Sequence, residues 1–243
     1  MSIIYMDSHM HFDLYGDKGS IIDYIESKGS YTIAVTNLPV LFKRYYSDFQ
    51  NYKYIKLALG FHPELVFEYQ EQFPIFLSHI NKTRYIGEVG LDFSTENVIN
   101  RESQLMIFSE IIKRCNEHKN KIVSVHSRRA HKEVIEILTG FNGMVILHWY
   151  SGSIRELKTA ISREYYFSIN QQMIRSNTGR KIINMIPLDR ILIESDAPFT
   201  CGLKDKYDLF FVDEIYKYLS ETRNIQLGEV SRVIYSNFKK IFL

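Results

Sequence analysis

Eight short runs of apolar, β-branched and aromatic residues recur along the chain, separated by stretches that mostly carry helical periodicity. The runs are Ile3–Met6, Tyr31–Val35, Ile55–Leu59, Tyr85–Val89, Ile122–Val125, Met144–Leu147, Tyr165–Ile169 and Ile191–Glu194. They are continuously apolar rather than alternating, as strands covered by helices should be. In the helical stretch Gln104–Glu117, Leu105, Phe108, Ile111, Ile112 and Cys115 recur on one face. Further amphipathic stretches cover Ile21–Lys28, Val66–Ile80, Lys132–Leu138, Ile154–Ser162, Lys181–Ile186, Phe211–Glu221 and Leu227–Phe242. Strand-then-helix repetition predicts an α/β fold, a single (β/α)8 TIM barrel of residues 1–243. The competing architecture is an open doubly wound sheet. The first run is followed by no Gly-x-Gly-x-x-Gly turn, so dinucleotide binding has no support.

The length of 243 residues suits one such barrel. An apolar share of 45% supplies a packed core and excludes intrinsic disorder. No apolar run approaches the roughly 20 residues that span a bilayer. The segment Met1–Met6 has no basic region, so neither a signal peptide nor an anchor is expected there. Two cysteines, Cys115 and Cys201, make no disulfide framework, and a cytoplasmic protein is expected. Thirty basic against 28 acidic residues is too even for a polycation, yet local basic clusters can still bind phosphate. Lys113, Arg114, Lys119 and Lys121 belong to the opposite rim and are expected only to solubilise it.

The eight histidines are not scattered. His9 and His11 follow the first strand, His62 the third, His126 the fifth and His148 the sixth. Glu88 lies near the end of the fourth, and Asp196 follows the eighth. In a barrel these positions converge on the C-terminal mouth, where chemistry is done. Residues i and i+2 of an extended segment point the same way, so His9 and His11 can face one ion. Imidazole with carboxylate suits zinc, manganese or iron, and a larger carboxylate share admits magnesium.

The segments Met6-Asp7-Ser8-His9-Met10-His11-Phe12, Gly60-Phe61-His62-Pro63, Gly87-Glu88-Val89-Gly90-Leu91-Asp92, His126-Ser127-Arg128, His148-Trp149-Tyr150-Ser151-Gly152 and Glu194-Ser195-Asp196-Ala197-Pro198 match, in order, the motifs of TatD-type metal-dependent deoxyribonucleases. The resemblance covers essentially the whole chain. It implies two divalent ions, zinc, manganese or magnesium, in a TIM barrel. One would be held by His9, His11 and Asp196. Glu88 would bridge to the second, held by His126 and His148. A bridging carboxylate offsets repulsion between cations about 4 Å apart. Asp196 would accept a proton from the attacking water or orient it, and His62 would sit near the scissile phosphate. Asp7 and Asp92 are candidates to orient ligand histidines. Arg128 matches the family's His-x-Arg position and could fork onto a phosphate. Trp149, the single tryptophan, could stack on a base. The resemblance further implies DNA as substrate, cut from a 3′ end on single strands.

Two features depart from the family. The segment Phe199–Asp208 is short where relatives carry a longer proline- and arginine-rich stretch, and Trp-Tyr replaces Cys-Phe after His148. The His-Trp-Tyr-Ser-Gly variant resembles the QatD branch, a nuclease-like component of a bacterial anti-phage system, which implies defence-system partner proteins. Two other classes compete. A C–N amidohydrolase also opens with His-x-His, but its bimetallic members commonly use a lysine on the fourth strand, and Tyr85–Asp92 has none. A non-catalytic binding subunit of a defence complex is the other.

Overall fold

A computed structural model describes residues 4–242. Its strands are β1 (Met6–Met10), β2 (Tyr31–Val35), β3 (Ile55–Ala58), β4 (Tyr85–Gly90), β5 (Ile122–His126), β6 (Met144–His148), β7 (Tyr166–Ile169) and β8 (Ile191–Ile193). The helices are α1 (Lys18–Lys28), α2 (Pro39–Phe49), α3 (Pro63–Val66), α4 (Phe73–His79), α5 (Val98–Asn116), α6 (His131–Ile137), α7 (Ile154–Ser162), α8 (Gln171–Arg175), α9 (Asn177–Met185), α10 (Phe210–Arg223) and α11 (Leu227–Phe242). The chain divides into two compact units. One comprises Met1–Ala34, Tyr52–Lys56 and Tyr166–Leu243, the other Val35–Asn51 and Leu57–Tyr165.

In the first unit β1 runs parallel to β2, and β7 parallel to β8. β8 is tied to β1 by Ser8 Oγ, which donates to the Ile193 carbonyl at 2.8 Å. The core here is aliphatic and aromatic: Ile33, Phe167, Leu192, Phe211, Ile215, Ile234 and Phe238 are all buried. In the second unit β4, β5 and β6 pair in parallel, Tyr85 opposite Ile122 and Ile122 opposite Met144. Phe42, Phe76, Phe108, Ile111, Val123 and Leu147 fill its core.

Two register irregularities fall at chemically important places. The β1–β2 pairing slips between Asp7 and Met10, and the β4–β5 pairing slips between Ile86 and Val89. Such slips re-aim a side chain. The residues inside them include His9 and Glu88.

The structure corrects several expectations. The first strand runs Met6–Met10 rather than Ile3–Met6, so His9 lies within it; Ile3 lies outside the described residues. Its partner β2 pairs with Met6, Asp7 and Met10, and the Tyr31 amide also donates to the Tyr5 carbonyl at 3.3 Å. The continuous helix expected over Val66–Ile80 is interrupted: α3 ends at Val66 and α4 starts at Phe73, with Pro74 in its first turn. Proline has no N–H to continue a helix but fits its start. The periodicity did not reveal α2, whose buried face is only Pro39, Phe42 and Phe49 among lysine, arginine and tyrosine. Nor did it reveal α8, one turn capped by Asn170 and followed by a second cap at Ser176. Lys121 does not solubilise a rim. It is buried, and its ammonium donates to the carbonyls of Ile80 and Thr83, the latter at 2.6 Å. Its apolar stem lets the head reach helix-end carbonyls that would otherwise lack donors.

Candidate metal centre

In the first unit, β1 and the turn after β8 bring His9, His11 and Asp196 together, all three buried. Asp196 Oδ1 lies 3.8 Å from His9 Nε2 and 3.6 Å from His11 Nε2. Backbone geometry fixes this approach. The Asp196 amide donates to the His9 carbonyl at 3.0 Å, and the His11 amide to the Ala197 carbonyl at 2.9 Å. Asp196 has left-handed backbone, φ +47°, a conformation that aspartate tolerates better than most residues.

Asp7 holds the backbone that carries this cluster. Its carboxylate accepts from the amides of His9 (3.2 Å) and Ser195 (2.9 Å) and from the Tyr207 hydroxyl (2.8 Å). Burial pushes its pKa up to about 7, against those hydrogen bonds, which lower it. Asp7 therefore clamps the backbones that carry His9 and Asp196. Tyr207, 200 residues away, had no sequence signal. Glu194 was also missed as a structural group: it is buried and accepts from Ser168 Oγ and, at 3.0 Å, from Asn170 Nδ2. These bonds knit β7 to the segment that leads into Asp196.

In the second unit three imidazoles converge on one oxygen. Glu88 Oε1 lies 2.6 Å from His126 Nδ1, 2.7 Å from His148 Nε2 and 3.4 Å from His62 Nε2. A carboxylate oxygen this close to several imidazole nitrogens repels their lone pairs unless a proton or cation intervenes. Nitrogen and oxygen donors around one point suit a divalent transition ion. The donor set thus fits a metal, as does that of His9, His11 and Asp196.

The other face of His126 is held too. Its Nε2 lies 2.8 Å from Asp92 Oδ2, and Asp92 Oδ1 accepts from the Ser94 amide at 2.8 Å. Burial would raise the Asp92 pKa, but hydrogen bonds from His126 and Ser94 win and hold it well below the usual carboxylate range. With the Nε2 proton on the Asp92 side, His126 presents the Nδ1 lone pair toward Glu88, the arrangement of a carboxylate–histidine–metal triad. Asp92 is positioned in turn from α5: its amide donates to Gln104 Oε1 at 2.7 Å, and Gln104 Nε2 donates to Asn100 Oδ1 at 2.7 Å. Gln104 sits on the buried face of a helix read only for its apolar residues. Asp92→Asn is expected to weaken divalent-ion binding about 10- to 100-fold. A manganese titration checks this, and an unchanged affinity would remove Asp92 from the centre.

His62 differs from the other two. Its Nδ1 accepts from the Glu64 amide at 3.2 Å, capping α3. In the neutral ring the proton is then on Nε2, which makes that atom a donor rather than a ligand. Arg128 is exposed, and its carbonyl receives the Phe93 amide at 2.9 Å. Trp149 is half-buried with φ +38°, and Tyr150 beside it is buried. Other cations near strand ends are committed elsewhere: Arg175 pairs with Glu214 at 3.1 Å, and Arg180 donates to Asn177 Oδ1 at 2.7 Å.

The profile of the family described as "TatD related DNase" matches residues 6–243. Human "Deoxyribonuclease TATDN3" is 29% identical over 70% of this chain and 63% of its own length. A protein of Methanocaldococcus jannaschii named an uncharacterized metal-dependent hydrolase is 27% identical over 77% and 76%. The chain spans about half the length of the first curated relatives it matches. A TatD homologue of Escherichia coli superposes with a TM-score of 0.84, at 21% identity, over 98% of this chain and 97% of that one. The fold class expected from the sequence is borne out: α/β with parallel strands, a (β/α)8 fold of the TatD type. Among the described residues no helix is long and apolar enough to cross a membrane.

Proposed function

We propose, from the premise that this chain belongs to the TatD-related DNase family, that it is a metal-dependent hydrolase of DNA phosphodiester bonds. The observation that carries this reading is the convergence of His126, His148 and His62 on the Glu88 carboxylate. In the proposal residues 1–243 act as one hydrolase domain with two divalent ions, zinc, manganese or magnesium. His9, His11 and Asp196 hold one, His126 and His148 hold the other, and Glu88 serves both. When bound, such ions absorb charge on the phosphoryl oxygens and acidify water.

The remaining steps belong to the chain. Asp196 orients the attacking water and takes its proton. His62, with its proton on Nε2, donates to a phosphoryl oxygen or to the departing alkoxide. Asp92 keeps His126 in one tautomer. Arg128, exposed and forked, binds a flanking phosphate, and Trp149 offers a surface for a base. Arg128→Ala is expected to raise the KM for a DNA strand about tenfold, the scale of one charge-assisted hydrogen bond. The effect on a small aryl phosphodiester should be smaller. Equal effects on both would show that Arg128 meets no extended substrate.

Family likeness extends the proposal to release of nucleotides from the 3′ end of single-stranded DNA. The His148-Trp149-Tyr150-Ser151-Gly152 variant supports placement within an anti-phage defence assembly, with partner proteins beside this chain, and two cysteines without a disulfide framework support a cytoplasmic location. The C–N hydrolase alternative gains nothing from β4, whose sequence is Tyr-Ile-Gly-Glu-Val-Gly. The test is an EDTA-controlled assay on labelled single- and double-stranded DNA and RNA, with mass spectrometry of products. Chelator-sensitive release of 5′-mononucleotides from DNA supports the reading. Intact strands with added metal would overturn it.

A further inference from the structure

We infer that Phe199 is a nucleobase platform. The base next to the scissile phosphate would stack on it while the phosphate meets the His9, His11 and Asp196 cluster. The inference rests on the phosphodiester reading above.

Phe199 is 60% exposed, although aromatic rings usually gain by burial. Its ring meets the His11 imidazole at right angles, centroids 5.4 Å apart and planes at 82°. Most of the ring surface therefore stays open to solvent beside a metal-ligand candidate.

The backbone holds it there. The Phe199 amide donates to the Asp196 carbonyl at 2.9 Å, and Thr200 Oγ1 donates to the Ser195 carbonyl at 2.6 Å. The Ala197 carbonyl receives the His11 amide at 2.9 Å. The residues on either side are thus pinned to the segments that carry Asp196 and His11, so the ring is presented and not merely left over. A second exposed apolar residue is tied to the His11 backbone. Leu14 is 45% exposed, and its amide donates to the His11 carbonyl at 3.3 Å.

An exposed apolar shelf beside a cluster of histidines and a carboxylate matches the chemistry of a nucleotide, a flat base joined to an anionic phosphate. A stacked base is recognised by its π face, which every base possesses, so this subsite would be tolerant of sequence.

The test is a cycle that combines Phe199→Ala with removal of a base. Short fluorescein-labelled single strands carry one abasic residue, moved a position at a time, and are assayed with the metal-loaded protein for KM and for binding by anisotropy. In the unaltered protein, an abasic residue next to the cleaved bond should weaken KM and binding about tenfold, the scale of one stacked base. In Phe199→Ala the same abasic residue should cost nothing further, and Phe199→Trp should restore the dependence. Phe199 is exposed, so the alanine variant is expected to fold. If base removal costs Phe199→Ala as much as it costs the unaltered protein at every position, the platform is overturned while the nuclease reading stands. If the unaltered protein cleaves none of the strands, the nuclease reading falls and the platform with it.

Discussion

Glu88→Ala is expected to abolish hydrolysis and to reduce the bound metal to one ion or none. Three imidazole nitrogens face the oxygen that this change removes, at 2.6, 2.7 and 3.4 Å. Taking away one partner of a buried charged group costs about 3–5 kcal/mol. At about 1.4 kcal/mol per tenfold, that is roughly a hundred- to a few-thousandfold in ion affinity. Glu88→Gln keeps the shape and one acceptor but loses the charge, and is expected to fall between alanine and the native residue. Metal content by mass spectrometry, with circular dichroism to confirm the fold, makes the measurement. Full metal content together with full activity in Glu88→Ala would defeat the assignment of the centre.

Gly60→Ala is expected to be the most damaging small substitution in the second unit. An added Cβ would stand 1.7 Å from the Thr36 carbonyl oxygen, 2.6 Å from the Glu88 amide nitrogen and 2.7 Å from the Gly87 carbonyl oxygen. All three are backbone atoms, so no side chain can swing away. The Gly60 amide also donates to Thr36 Oγ1 at 3.0 Å, and the following Phe61 amide donates to the Glu88 carbonyl at 2.8 Å. The methyl group must therefore displace the strand that carries Glu88. We expect a loss of about 3 kcal/mol or more, at the upper end for a single substitution. Urea unfolding measures it, and a change under about 1 kcal/mol would mean that the backbone gives way more easily than this packing implies. Surviving folded protein should also bind metal poorly, because the methyl pushes on the Glu88 peptide itself.

Much of the fold is legible because its signals are local. Seven of the eight apolar runs coincide with strands to within a residue at either end, since parallel strands buried on both faces must be continuously apolar. The first is displaced because strand pairing carries it through the polar stretch Asp7-Ser8-His9: Tyr31, Thr32 and Ala34 stand opposite Met6, Asp7 and Met10. The helix expected over Val66–Ile80 is broken where Pro74 stands in the first turn of α4, a local signal that apolar spacing alone does not carry.

The candidate site is legible as a set of residue types but not as a set of roles. His9, His11, Glu88, His126, His148 and Asp196 could be picked out because each stands at or near the end of an apolar run. Nothing in spacing distinguishes His62, whose Nδ1 is occupied by a helix-capping hydrogen bond, from His126, whose Nδ1 faces Glu88. Asp7 and Asp92 look equivalent in sequence, one beside each motif. Asp92 meets the His126 imidazole, whereas Asp7 holds two backbone amides and a tyrosine hydroxyl.

What the sequence determined by itself is the α/β class, the strand–helix order and the kinds of side chain available for chemistry, because hydrophobic period and residue type are properties of short stretches of chain. The tertiary structure decided which atoms meet. Register slips in β1 and β4, the left-handed turn at Asp196 and contacts such as Tyr207 with Asp7 depend on residues up to 200 positions apart, and their energies exist only once those residues are packed together.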